Sequence, residues 1–322
     1  MLLLVVWLGI CNITEAQYKF GQPTQFKREN GLPINGARLV VAGEDGFVWM
    51  GADDGLCRFD GHQFKVWRRD PANPRSLFDN TIFAILPEKD RVWVATGQGI
   101  SVLAIRADTF RHYQITATGK AAKLTRDFGL GVSVFFKDPA GEIWVGTRAH
   151  GLWKYRPESD DFYQYPYPPE AYPAIAPMLD SPQAVLSIES DGDSLIWAGT
   201  PAGLQQVNKR TGRVRWFTFP QQDKEYQVDV NAFRRLCYHT DGKLYVGSWG
   251  AGVSVFDPKN QTLKPLFLKN KYGSDILQTP VARILSRNDD ELWITTLNGF
   301  AIYHTRWQEV VFAKYNKHIK QE

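Results

Sequence analysis

Cysteine is close to missing from this chain, with 3 among 322 residues, at positions 11, 57 and 237. Residues so far apart supply neither a disulfide framework nor the paired spacing of a zinc site, so stability has to come from a packed core. Histidine is almost as sparse: 6 copies, at 62, 112, 150, 239, 304 and 318, with no ligand-type pairing. No H-E-x-x-H, G-x-S-x-G, P-loop or dinucleotide fingerprint occurs. The chain is therefore expected to be non-catalytic and to need neither a metal nor a cofactor. Charge of one sign is lacking too. The 38 Lys and Arg are interleaved with 34 Asp and Glu, for a net charge of +4 without a basic run, which argues against nucleic acid as a partner. After the first 11 residues no apolar run is long enough to cross a bilayer. The 27 Gly and 18 Pro leave few uninterrupted stretches for long helices.

The amino terminus, MLLLVVWLGIC followed by NITEAQ, has the length and the polar follow-on of a signal-peptide core. It departs from the pattern in having no Lys or Arg before the apolar run. Thr14 and Ala16 stand where a cleavage site needs small residues, so residues 1–16 are expected to be a signal peptide and Gln17 the mature start. The expected location is exported, periplasmic or extracellular. Cys57 and Cys237 then remain, expected as small apolar core residues.

What the chain does have is aromatic residues, 13% of the total, set among β-branched ones in a pattern of short strands. It also has an internal repeat. Trp49, Trp93, Trp144, Trp197, Tyr245 and Trp293 are spaced by 44, 51, 53, 48 and 48 residues. Each is followed six or seven residues later by a glycine: Gly55, Gly99, Gly151, Gly203, Gly252 and Gly299. Asn35, Asn80, Leu130, Gln183, Asn231 and Thr279 precede the aromatics by 13 or 14 residues, and the asparagines suit turn capping. A period near 49 held through six copies signals an array of supersecondary units. In the first copy ARLVVAG, FVWMGA, LCRFD and QFKVW read as four strands separated by turns at residues 44–46, 53–55 and 61. A four-stranded meander with two apolar faces must bury both against its neighbours. The fold class is thus all-β, a β-propeller of four-stranded blades, with residues 17–322 as one domain. A β-solenoid fits less well, because its coils are shorter and need no bulky aromatic in every second strand.

The sixth copy has its own fourth-strand candidate at 307–312, while residues 18–28 read as a strand ahead of the first blade. A seventh aromatic falls due beyond Glu322. The expectation is an incomplete, truncated or split seven-bladed ring rather than a closed six-bladed one.

The run GLPINGARLVVAGEDGFVWMGADDGLCRFDGHQFKVW and the match Trp144-Val-Gly-Thr-Arg-Ala-His-Gly-Leu resemble the two-component regulator propeller repeats. Those repeats occur in the exported sensor region of bacterial hybrid two-component systems. The resemblance spans about residues 26 to 312 and is looser in the second and sixth copies, where Ala95 and Thr295 replace the glycine after the aromatic. It implies a ligand-sensing module without chemistry of its own, often for carbohydrate fragments. Longer relatives carry a further propeller, a β-sandwich, a membrane span and a histidine kinase. A downstream propeller or sensor segment, or a second copy, is an expected partner.

In a meander the connections after strands two and four emerge on the same face, and here those after strand four are long. Long loops on a rigid ring are where binding usually resides. That face gathers Arg75, Arg126, Arg148, His150, Trp249 and Asn298. Aromatic rings with Arg and Asn side chains suit a polar small molecule or an oligosaccharide, which offers apolar faces and hydroxyls together. Trp249 stands out because it is off the repeat phase. A protein-interaction scaffold remains the alternative, and a propeller lyase or hydrolase the more distant one. The five phased tryptophans and Tyr245 are assigned to the core.

Overall fold

The computed structural model describes residues 37–113, 131–167, 181, 183–219, 233–248, 252–266, 280–297 and 299–315. Every regular element among them is a strand. Blade 1 holds β1 (Leu39–Ala42), β2 (Val48–Gly51), β3 (Leu56–Phe59) and β4 (Phe64–Trp67). Blade 2 holds β5 (Ile82–Pro87), β6 (Arg91–Thr96), β7 (Gly99–Ala104) and β8 (Thr109–Tyr113). Blade 3 has β9 (Val132–Lys137), β10 (Ile143–Thr147), β11 (Leu152–Arg156) and β12 (Asp161–Gln164), and blade 4 β13 (Ser187–Ser190), β14 (Leu195–Thr200), β15 (Gly203–Asn208) and β16 (Val214–Phe217). Blade 5 has β17 (Phe233–Tyr238), β18 (Leu244–Ser248), β19 (Val253–Asp257) and β20 (Thr262–Pro265). Blade 6 has β21 (Val281–Asn288), β22 (Glu291–Thr296), β23 (Gly299–His304) and β24 (Glu309–Tyr315). Each set forms one four-stranded antiparallel sheet in sequence order, the meander read from the repeat. The expected signal peptide and the strand at 18–28 lie outside the described residues.

The sheets pack through their first strands: β1 on β5, β5 on β9, β9 on β13, β13 on β17 and β17 on β21. First strands are therefore innermost and fourth strands outermost. No comparable packing joins β21 to β1 among the described residues.

In blades 1 to 5 the second strand is buried on both faces, which is why it reads as a continuous apolar run; in blade 6, β22 alternates between buried and half-buried residues. Its aromatic points at the next blade. Trp49 sits in a cluster with Ile82, Ile85 and Val94 of blade 2. Trp93 packs with Val132, Phe135 and Tyr155 of blade 3, and Trp144 with Val185, Ile188 and Ile196 of blade 4. Trp197 packs with Phe233 and Leu236 of blade 5, and Tyr245 with Ile284 and Leu292 of blade 6. Five of these rings, Trp49, Trp93, Trp144, Trp197 and Tyr245, are fully buried, whereas Trp293 is half-buried. Three of the polar ring groups reach acids on the preceding turn of their own blades: Trp93 Nε1 donates to Glu88 (2.8 Å), Trp144 Nε1 to Asp138 (3.3 Å) and Tyr245 Oη to Asp241 (3.0 Å). Cys57 and Cys237 are buried free thiols, and burial pushes them up to about 11 and about 12, respectively.

The glycine two residues after the aromatic lets the next blade approach. A Cβ on Gly146 would lie 2.6 Å from Val134 and 2.8 Å from Val185, the latter in the neighbouring blade. Gly51, Gly199 and Gly247 meet Ile82, Phe233 and Val281 in the same way. Backbone hydrogen bonds complete the junction. Ile82 N–H donates to Ala52 (2.8 Å) and Val185 N–H to Thr147 (2.8 Å), while Gly55 and Gly151 donate to the carbonyls of Asn80 and Gln183. The Asn80 side chain also accepts from Arg69 N–H (2.7 Å), the turn-capping role expected for it.

A hydroxyl closes the turn after strand two in five blades. Thr96, Thr147, Thr200, Ser248 and Thr296 each donate to the carbonyl of the following glycine, at 2.9, 3.0, 2.9, 3.3 and 3.3 Å. Blade 1 has Ala52 there.

Two substitutions test this packing. Trp144→Ala should cost about 3–5 kcal/mol by leaving a large cavity, and Gly146→Ala about 1–3 kcal/mol by overpacking the junction with blade 4. Denaturant unfolding of both variants checks the pair. A Gly146→Ala protein as stable as the parent would show that the junction yields.

Candidate functional site

First strands begin at the face that carries the long connections, so their opening residues ring the mouth of the central channel there. In four blades this opening is irregular. The ladder shifts register between Ile82 and Ala84, Gly146 and Thr147, Phe233 and Arg235, and Val281 and Arg283. A bulge of this kind lets two residues oppose one and re-aims a side chain. The residues released from the ladder are Phe83, Ser133, Arg234 and Ala282.

Arg148 and Phe83 are brought together at this mouth. The Arg148 guanidinium carbon lies 5.5 Å from the Phe83 ring centroid, within cation–π range, and its backbone N–H donates to Gly131 (2.9 Å). His150 shares the same loop. Its N–H donates to Thr147 Oγ1 (2.8 Å), and its carbonyl accepts from Trp153 Nε1 (2.9 Å) and Gln164 Nε2 (2.8 Å). Trp153 belongs to the core cluster that holds Trp93 of blade 2. Burial lowers the His150 imidazole, leaving it neutral at pH 7. A half-buried phenyl, a guanidinium and a neutral imidazole can stack a ring face, donate to hydroxyls and accept from them.

Arg75 is elsewhere. Its carbonyl accepts from Phe110 N–H (2.8 Å) on β8, and the adjacent Pro74 carbonyl lies 3.2 Å from His112 Nε2. The connection between blades 1 and 2 therefore runs along the outermost strand. Three strand spacings separate it from β5, about 14 Å. Arg126, Trp249 and Asn298 lie outside the described residues.

Sequence reading missed three charged groups on the inner strands. Arg235, paired with Gly247, and Arg283, paired with Thr295, occupy the same repeat position in consecutive blades. Leu39, Ala84, Val134 and Ser187 hold that position in blades 1 to 4. Arg235 reaches across the junction, where its Nε donates to the carbonyl of Ala282 (2.6 Å) and its Nη1 to that of Arg234 (2.7 Å). Burial lowers its pKa first, and the like charges of Arg283 and Arg234 lower it further. Glu189 stands opposite Trp197 and faces blade 5. Burial pushes its carboxyl up to about 8, against the smaller opposing pull of the Tyr238 backbone and Arg283. The signal was present in FRRLC and VARIL, where arginine replaces the uncharged residue that the other copies show.

No family model and no curated protein matches the chain. Solved structures do. The extracellular domain of the hybrid two component system BT3049 from B. thetaiotaomicron is similar at a TM-score of 0.66 and 19% identity, over 91% of this chain and 36% of that one. Virginiamycin B lyase from Staphylococcus aureus gives 0.60 at 11% identity, over 86% of this chain and 83% of that one. The computationally designed Ika8 protein gives 0.51 at 13%, over 85% of each. With six four-stranded antiparallel sheets, these likenesses establish the fold as a β-propeller. The chain spans about a third of the length of the BT3049 domain.

The Glu189 carboxyl makes stability depend on pH. Between its ordinary value of 4.5 and about 8 the folded chain keeps a proton that the unfolded chain releases. Stability therefore falls as pH rises through that window. Glu189→Gln should raise the melting temperature at pH 8 and leave it nearly unchanged at pH 4. Equal effects at the two pH values would mean that the carboxyl titrates normally.

Proposed function

We propose that this propeller is the exported, ligand-sensing part of a receptor of the hybrid two-component type. In this reading it binds a polar ligand such as a carbohydrate fragment at the channel mouth on the long-loop face, and does not turn it over. The observation that carries the reading is the pairing of Arg148 with Phe83 at a ladder bulge, with His150 on the same loop. A sugar presents an apolar ring face and a rim of hydroxyls, and this trio offers a partner for each. The bulge releases Phe83 from the ladder, and its ring packs beside the core of blades 2 and 3 with the Arg148 guanidinium over it. The family resemblance of the repeats and the structural similarity to the extracellular domain of BT3049 support the sensor role and the exported location. Fold alone decides neither, since one propeller architecture hosts sensors, scaffolds and lyases.

The test is a thermal-shift screen of the chain against neutral and acidic oligosaccharides, followed by calorimetry on each hit. A ligand that binds the native state raises the melting temperature by mass action. Arg148→Ala should leave the free protein within about 0.5 kcal/mol of the parent, as surface changes usually do. It should weaken the ligand by about tenfold or more, since a lost charge-assisted hydrogen bond is worth about 1.5–3 kcal/mol. Mass spectrometry of the saccharide after incubation should find it intact. A cleaved or eliminated product would favour the lyase or hydrolase reading, and a stable co-purifying protein the scaffold.

A further inference from the structure

We infer that the wall of the channel mouth built by blades 5 and 6 is an anion site, in which Arg235 and Arg283 receive a carboxylate or sulfate group of the ligand. This rests on the reading that the long-loop face binds a polar ligand, and narrows that ligand to an acidic saccharide.

The repeat itself makes the argument. Six blades share one position at the start of the first strand, and the fold is content with leucine, alanine, valine or serine there. Guanidinium groups appear only in the two adjacent blades 5 and 6, at the same height in the channel. Packing does not require them.

Nor are they arranged as a salt bridge. Arg235 uses Nε and Nη1 on backbone carbonyls, which fix its plane across the junction and leave Nη2 available. Arg283 is exposed and forms no ion pair with an acid among the described residues. The acid nearest in the repeat is Glu189, two residues beyond Ser187 on β13 of blade 4, and its raised pKa of about 8 leaves it largely protonated at pH 7. Arg283 lies close enough to Arg235 for its like charge to lower the Arg235 guanidinium, and an anion bound by both would remove that repulsion. Arginine suits the role because its planar fork matches the two oxygens of a carboxylate or sulfate. Arg148, above Phe83, would hold the apolar and hydroxyl-bearing part of the same ligand.

The experiment compares three probes by calorimetry on the chain: cellobiouronic acid, its neutral counterpart cellobiose, and sodium sulfate. The acidic disaccharide and sulfate should bind the parent, more weakly as ionic strength rises, and cellobiose at least about tenfold more weakly than cellobiouronic acid. Arg283→Gln, on an exposed side chain, should keep the parent's melting temperature and lose about tenfold or more in affinity for both anions. Arg283→Lys should lose less, since it keeps the charge and only the fork is gone. Arg235→Gln should act in the same direction if it folds. Anion affinities unchanged in Arg283→Gln, or a parent that binds neither anion, would overturn the site. A neutral sugar that binds through Arg148 and ignores Arg283→Gln would sink the anion site while leaving the sensor reading intact.

Discussion

The structure depends on one contact, made five times over: an aromatic ring from the second strand of one blade pressed into the first and second strands of the next. A four-stranded sheet of this size cannot bury both its faces by itself. The ring fills the wedge between neighbouring sheets, and the glycine two residues later removes the Cβ that would hold them apart. The two act together at four of the five junctions, and at the second Ala95 is the small residue. A bulky plug without a small residue would splay the blades, and the small residue without the plug would leave a void. The backbone bonds from Ile82 to Ala52 and from Val185 to Thr147 lock the spacing once the apolar groups have set it.

This constraint explains what could be read from the sequence. The plug, the glycine and the turn residues recur because every junction poses the same steric problem, so their phase reveals the blades and their strands. The resemblance to sensor propellers found its counterpart, as to fold, in the extracellular domain of BT3049. The hydroxyl after strand two was equally periodic, three residues beyond the aromatic in Thr96, Thr147, Thr200, Ser248 and Thr296, and escaped notice because it looks like ordinary strand content. Site residues are a harder problem. A repeat marks what the junctions share, whereas a ligand is held by what differs. Arg148 was legible as an interruption of the pattern. Arg75 was not placeable, because the loop that bears it turns outward along β8 through bonds that no periodicity encodes. Arg235 and Arg283 sit inside strands, where a charged residue reads as an exposed face until the register sets both at one repeat position near the start of the first strand.

Charge is divided between the two faces of the ring. On the tight-turn face it is neutralised internally. Lys209 and Asp138 pair at 2.6 Å across the junction of blades 3 and 4, and Lys137 reaches Glu88 at 3.3 Å and Glu44 at 3.1 Å, tying blade 3 to blades 2 and 1. Removing one partner of the buried Lys209 and Asp138 pair would leave the other uncompensated, so these groups hold the blades in a fixed relation more than they add net stability. At the rim, Asp108 and Asp160 occupy left-handed turn positions with φ of 54° and 53°. From there Asp108 accepts from Lys65 and Trp67 of blade 1, and Asp160 from Arg111 and Tyr113 of blade 2. The channel mouth contrasts with both regions, since Arg235 bonds there to carbonyls and Arg148 lies over the Phe83 ring.

Because the aromatic plugs of blades 1 to 5 are each covered by the blade that follows in the chain, the architecture has a direction in time. During synthesis a newly made blade shows its ring to water until its successor leaves the ribosome. At about 5–20 residues per second, a repeat of this length takes about 2–10 s to appear. Each finished sheet is in the meantime an apolar template with a glycine-lined notch, ready to receive one partner only in the correct register. The molecule can therefore grow by docking each meander on the last, and its order of assembly is written into which neighbour each tryptophan points toward.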